Sequence, residues 1–118
     1  MCIVKRKIKA NGKLYNIRVS TYPRSKRMRL SYENNKEKHD ITINLNDVYL
    51  PQEDITIDPY IDSGVFKSLK KARIIRDICG AFFDSYVEIP IVTLNMGILR
   101  KYDNEGVSRH LRKVSDYE

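Results

Sequence analysis

The sequence predicts an α+β fold: an antiparallel sheet of four to six strands with one main amphipathic helix packed on one face, followed by a short C-terminal helix. Apolar and polar residues alternate over most of the chain up to residue 58, as in strands with one buried face. From residue 62 to 72, and again after Asn95, apolar residues recur instead at helical spacing. A chain of 118 residues with 42% apolar content suits one core. We expect a single domain over 1–104 and a basic tail or marginal helix over 105–118.

A hairpin is predicted around Asn11 and Gly12, because this dipeptide tolerates the positive φ angles of a two-residue turn. The register that follows puts apolar side chains on one face and basic ones on the other, and a slip of one residue would mix them. This register pairs Ile8 with Tyr15, Lys9 with Leu14, Lys7 with Asn16, Arg6 with Ile17, Lys5 with Arg18 and Val4 with Val19.

A third strand is predicted over 26–32, where Met28, Leu30 and Tyr32 alternate with basic residues. Like charges on one sheet face repel unless an anion or salt relieves them, so such a face favours an anionic partner. The alternative is a solvated face whose lysines discourage edge-to-edge pairing of sheets. The candidate binding residues of this basic face are Lys5, Lys7, Lys9, Arg18, Arg27 and Arg29.

The next strands are predicted from two further alternating segments. Turn residues at 34–37 precede a fourth strand over 41–45, and a short edge strand follows within 54–58. Pro59 ends that strand, because proline restricts the residue before it to extended geometry.

Two helices and a last strand complete the predicted fold. The main helix begins at Asp62 or Ser63 and either ends near Ala72 or continues to a stop at Gly80. A strand over 87–94 is expected to lie at an edge or to carry a bulge, because it contains Pro90. Asn95 is then expected to cap the short second helix.

Charge is distributed unevenly along the chain. Residues 1–32 contain ten basic residues and no acidic ones, residues 33–62 two basic against eight acidic, and residues 63–118 ten basic against seven acidic, for a net charge of +7. Opposite patches predict weak self-association at low ionic strength. The competing interpretation is local: Glu33, Glu37 and Asp40 neutralise neighbouring cations on the folded surface.

No sequence motif indicates catalysis. We find no phosphate-binding glycine loop, nucleophile elbow or paired-cysteine site, so we expect no enzyme activity, no cofactor and no metal. The spacing of Asp54, Asp58 and Asp62 is compatible with a magnesium cluster, but turn and cap roles account for the last two. Cys2 and Cys79 are predicted to be reduced, buried thiols. The absence of a signal peptide or a membrane-spanning apolar segment predicts a cytoplasmic protein.

Between Asp40 and Tyr102 the chain carries a series of short features in a fixed order. They are Ile-Thr-Ile-Asn-Leu at 41–45, Thr-Ile-Asp-Pro-Tyr-Ile-Asp at 56–62, Leu69, Gly80, Ile-Pro-Ile at 89–91 and the turn at 95–99. This order of features resembles a small domain family of unknown function carried on plasmids, integrative elements and prophages of Gram-positive bacteria. The resemblance implies a mobile-element accessory protein and carries over no catalytic residues.

The basic face and the resemblance together predict a non-enzymatic protein that binds nucleic acid or a nucleoprotein through phosphate contacts. The alternative is a protein inhibitor of a host defence nuclease, of the anti-CRISPR or anti-restriction type. Small size and the lack of catalytic motifs suit both functions.

Overall fold

The computed structural model describes residues 6–45, 50 and 53–115. The predicted α+β class is confirmed, but the described strands form two antiparallel sheets instead of one. The first sheet has the order β1-β2-β3-β4 and the second the order β5-β7-β6. The elements are β1 (Ile8–Ala10), β2 (Lys13–Thr21), β3 (Met28–Glu33), β4 (Lys38–Asp40), β5 (Asp54–Thr56), α1 (Ser63–Lys71), β6 (Ile75–Asp84), β7 (Val87–Leu94) and α2 (Met96–Ser115).

The predicted hairpin is confirmed at its turn and in its first pairs. Asn11 and Gly12 have φ angles of 54° and 76°, and Ile8 lies opposite Tyr15 in the expected register. The alternating apolar residues of β2 and β3 are buried as predicted, namely Tyr15, Ile17, Val19, Met28, Leu30 and Tyr32, and Leu14 is exposed on the other face. Among the described residues, the pairing of the first strand with β2 does not extend from Ile8 back to Arg6.

The hairpin pairing ends at Ile8 because the chain before it turns toward α2. The amide of Arg6 donates to the carbonyl oxygen of Lys101 at 3.1 Å, so the predicted pairing of Arg6 with Ile17 is wrong. The predicted pairs of Val4 and Lys5 lie outside the described residues.

Helix α2 occupies the β2 edge that β1 leaves open. The amide of Val19 donates to Asp103 Oδ2 at 2.9 Å, and the amide of Gly106 donates to Asp103 Oδ1 at 3.1 Å. Asp103 has non-helical angles (φ −155°, ψ 75°), and its carboxylate caps the second half of α2 while it accepts a hydrogen bond from a strand amide.

The C-terminal helix is longer than predicted. Residues 105–115, expected as a tail or marginal helix, are helical, and Val107 is buried.

The fourth strand begins earlier than predicted. The amide of Asn34 donates to the carbonyl oxygen of Glu37, and this tight turn places Lys38 directly opposite Glu33. The predicted strand over 41–45 is wrong because this segment crosses to the second sheet, where Thr42 forms an isolated bridge with Ile57.

Helix α1 begins as predicted, with Asp62 accepting a hydrogen bond from the Val65 amide at 3.1 Å. It ends at Lys71, and Arg73 in the left-handed region (φ 63°) turns the chain into β6. Of the two alternatives left open, the early end is correct, and Gly80 lies within a strand.

Pro90 lies in β7, the central strand of the second sheet, so the predicted edge position is wrong. Its carbonyl oxygen accepts the amide of Ile57, just beyond the end of β5. Because the nitrogen and carbonyl of one strand residue face the same neighbour, the missing N–H also faces Ile57, beyond the last residue of β5, and does not face β6. The pairing irregularities lie instead in β6, between Ile75 and Asp77 and between Ile78 and Gly80.

One apolar core joins the two sheets and both helices, with residues contributed by every element except β4. Among the described residues, no helix is long and apolar enough to cross a membrane. The most fully buried large side chains are Ile17, Leu30, Ile41, Ile57, Leu69, Ile74, Leu94, Leu99 and His110.

Candidate nucleic-acid interface

The two arginines of the outer face of the first sheet are neutralised within the chain. Arg18 forms an ion pair with Glu33, and Arg29 makes two hydrogen bonds to the carboxylate of Asp40, at 3.0 and 3.1 Å. This is the arrangement that the local interpretation of the acidic segment predicts. Exposed pairs of this kind contribute about 0 to 1 kcal/mol each to stability. Their main effect is to remove free positive charge from the predicted binding face.

Arg27 lies just before β3 and serves a different purpose. Its guanidinium donates to the carbonyl oxygen of Asp54 at 3.1 Å and so connects the two sheets. Burial lowers the pKa of Arg27, which the neighbouring charge of Asp54 partly offsets. Arg27 therefore lies apart from the outer-face arginines. Lys5, the remaining outlying candidate, falls outside the described residues.

Lys7 and Lys9 are brought together with Lys71, at the open side of β1 where α1 packs against it. The three lysines line a groove of about 240 Å³. Ser68 Oγ donates to the carbonyl oxygen of Lys9 at 2.6 Å and fixes the last turns of α1 beside β1. The remaining lining residues are Ile8, Ser68, Ala72 and Tyr102.

Among the described residues, the lysines of this groove have no acidic partner. Within the part of the chain that the structure describes, no carboxylate lies within ion-pair distance of Lys7, Lys9 or Lys71. The contrast with Arg18 and Arg29 separates the predicted basic face into a compensated part and an uncompensated part. We call the uncompensated part the lysine groove.

Further basic residues adjoin the groove. Arg6 precedes Lys7, and its backbone amide donates a hydrogen bond to the carbonyl oxygen of Lys101. This contact brings an exposed basic residue of α2 to the same region. Lys71 of α1 extends this basic surface from the strand to the helix. The proximity of Lys101 has no local signal in the sequence, because it depends on the packing of α2 against the first sheet.

The carboxylates considered for a metal cluster have separate structural roles. Asp54 Oδ1 accepts the Thr93 hydroxyl at 2.7 Å, Asp58 Oδ1 accepts the Tyr60 amide at 2.9 Å, and Asp62 caps α1. No group of three or more metal-ligating side chains occurs among the described residues.

The hairpin of β6 and β7 carries a second exposed surface, which we call the arm. Ile78, Phe83 and Tyr86 are 52%, 76% and 103% exposed, although large apolar side chains usually lie inside. Cys79 is also exposed, so the prediction of a buried thiol is wrong there; it lies in β6, which is an edge strand of the second sheet among the described strands. Cys2 lies outside the described residues.

Comparison with models of protein families, with curated proteins and with solved structures found no match.

Proposed function

We propose that this protein binds the phosphate backbone of nucleic acid through the lysine groove. The observation that carries the proposal is the convergence of Lys7, Lys9 and Lys71 without carboxylate partners among the described residues. Lysine is a compact point charge that attracts phosphate without demanding one geometry. An anion in the groove relieves the mutual repulsion of the three ammonium groups, and binding releases counterions.

The expected binding is independent of sequence. Phosphate contacts position a protein without reading bases. Among the described residues that line the groove, only Tyr102 is aromatic, and it is buried. The proposed role is therefore coating or tethering of nucleic acid by a non-enzymatic cytoplasmic protein. Its assignment as an accessory protein of a mobile element rests on the resemblance of residues 40–102 alone.

Fluorescence anisotropy with labelled single-stranded and duplex oligonucleotides tests this function. Three phosphate contacts predict a slope of log K against log salt of roughly −2 to −3. The double variant Lys9→Ala with Lys71→Ala is expected to reduce the magnitude of that slope by about 1 for each lysine and to weaken binding at low salt.

The matched control is the double variant Arg24→Ala with Lys36→Ala. Both residues are exposed and line no part of the groove, so the control removes the same two positive charges elsewhere. Equal losses in the two double variants would contradict a localised site. Absence of binding at about 50 mM salt would contradict nucleic-acid binding altogether.

A protein partner is the second candidate function, and the exposed arm favours it. We propose in this case an inhibitor that docks Phe83 and Tyr86 on a host defence nuclease, since exposed aromatic anchors are typical of protein interfaces. Pull-down from a bacterial lysate after nuclease treatment separates the two functions. Retention of a protein by the native chain, with its loss in Phe83→Ser, supports inhibition; loss of every partner on nuclease treatment supports the lysine groove.

A further inference from the structure

A polar cleft of about 420 Å³ lies on the core side of the hairpin turn, away from the outer face of the sheet. It forms where the β1–β2 turn, the residues around β4 and the start of α1 meet. Its volume is within the range of small-molecule sites. Four rings and two carboxylates line it: Tyr15, Tyr32, Tyr60, His39, Glu37 and Asp62.

Both carboxylates of the cleft are held in fixed orientations. Glu37 Oε1 accepts the hydroxyl of Tyr15 at 2.7 Å, and Asp62 Oδ1 accepts the side-chain amide of Asn11 at 2.9 Å. These hydrogen bonds lower the pKa of Glu37 and that of Asp62, so both groups are anionic at neutral pH. The cleft thus presents two oriented negative charges.

Three of the four rings form one aromatic cluster in the lining. Tyr15 and Tyr32 meet edge to face with centroids 5.0 Å apart, and His39 lies 5.1 Å from Tyr32 at a tilt of 31°. Tyr60 is 81% exposed, so the core does not account for its aromatic side chain. Aromatic faces attract cations, and more strongly where water is excluded.

The chain itself supplies a cation to this cleft. Lys13 Nζ lies 3.4 Å from Glu37 Oε2, but its side chain is 57% exposed and the contact is long for a charged hydrogen bond. A ligand with better geometry would displace this ammonium group at little cost. The position of Lys13 shows that Glu37 Oε2 is the oxygen that a cation can reach.

We propose that the cleft binds a guanidinium group, either of free arginine or of an arginine side chain on a partner protein. A guanidinium is planar, stacks on aromatic rings and donates to carboxylates in a fork geometry, which matches rings and carboxylates placed around one space. This site is separate from the lysine groove and takes a ligand of opposite charge. Its failure would leave the proposed nucleic-acid binding unaffected.

Titration calorimetry, combined with amide chemical shifts of Tyr60 and His39, tests the site. The probes are arginine, N-acetyl-arginine-N-methylamide and the blocked citrulline analogue, which keeps the shape but lacks the charge. Binding by the arginine probes alone is expected. A tighter complex with blocked arginine assigns the site to a partner's side chain, and a tighter complex with the free amino acid assigns it to a metabolite.

Variants identify the contacts. Glu37→Gln keeps an oxygen for the Tyr15 hydroxyl and is expected to weaken binding roughly tenfold, whereas Lys13→Met removes the internal competitor and strengthens it severalfold. Glu88→Gln removes an exposed carboxylate of the arm and serves as the control. If Glu37→Gln fails to fold, the exposed Tyr60→Ala measures the aromatic contribution. Equal binding of the citrulline analogue, or no response to any probe up to about 10 mM, would overturn the proposal.

Discussion

Replacing Asp103 by alanine removes the buried carboxylate that holds α2 against the edge of β2. Asp103 is 1% exposed, and its two oxygens accept the amides of Val19 and Gly106. An unpaired buried amide costs about 1 to 3 kcal/mol, and the loss of a helix cap costs about 0.5 to 2 kcal/mol. The expected loss in free energy of unfolding is therefore about 2 to 4 kcal/mol. Asp103→Asn retains one acceptor oxygen and is expected to lose about half as much.

Equilibrium unfolding in urea, followed by circular dichroism, measures this loss. For a chain of this size it corresponds to a fall in the midpoint of roughly 1 to 2 M. Glu105→Ala is the control, because it removes an exposed carboxylate two residues later and should change stability by no more than about 0.5 kcal/mol. A loss for Asp103→Ala no larger than that of the control would refute the role assigned to the carboxylate.

Three further outcomes are expected. A Cβ at Gly106 would lie 2.6 Å from the carbonyl oxygen of Val19, so Gly106→Ala should destabilise the fold. A Cβ at Gly97 would meet Asn95 Oδ1 at 3.5 Å, an ordinary van der Waals contact, so Gly97→Ala should be neutral or stabilising in urea unfolding. Burial lowers the pKa of His110 from its usual 6.5, so below pH 6.5 the unfolded chain binds more protons than the folded chain. The free energy of unfolding should therefore keep its full value above pH 6.5 and be lower by at most about 1.4 kcal/mol at pH 5.5. His110→Gln should abolish this pH dependence. The hydrogen bond to Glu37 raises the pKa of Tyr15 to about 12, and burial also raises the pKa of Tyr22 and that of Tyr32. Spectrophotometric titration should therefore show tyrosines that ionise after the exposed ones, and Tyr15→Phe should remove one of them.

The parts of the fold that depend on neighbouring residues were predictable. The Asn11-Gly12 turn and the alternation beside it determine the register of Ile8 and Tyr15, because a slip would expose the apolar face. The cap of α1 was also predictable, because the Asp62 carboxylate and the amide of Val65 that donates to it are only three residues apart. Local pattern and local geometry agree at these positions.

The predictions that were wrong concern parts of the fold that depend on contacts between residues distant in sequence. Among the described residues, the pairing of β1 with β2 does not extend before Ile8, because α2 occupies the same edge of β2. The contact is made by the carboxylate of Asp103, which is 84 residues from Val19 in the sequence. The division into two sheets has a similar cause. The amide of Ile41 still donates to β3, but from the carbonyl of Ile41 onward the backbone bonds to residues 56–58. Alternation predicts a strand but does not specify the sheet that it joins.

The candidate site was predicted by charge and redefined by pairing. Composition indicated a basic face, but Arg18 and Arg29 have acidic partners that β3 and β4 place beside them. The free charge remains at Lys7 and Lys9, where α1 contributes Lys71 and not a carboxylate. Net charge per segment could not distinguish these cases, because the pairing depends on which strands are adjacent.

Helix α1 connects both proposed sites to the same hairpin. At its start, Asp62 accepts a hydrogen bond from the side-chain amide of Asn11 and lines the polar cleft. Near its end, Ser68 donates to the carbonyl oxygen of Lys9 beside the lysine groove. The hairpin is thus fastened to the helix at two points, one in each site. A cationic ligand at one end and an anionic ligand at the other would both bind the fastened arrangement. Since a ligand stabilises the state that it binds, each is expected to raise the unfolding temperature without excluding the other.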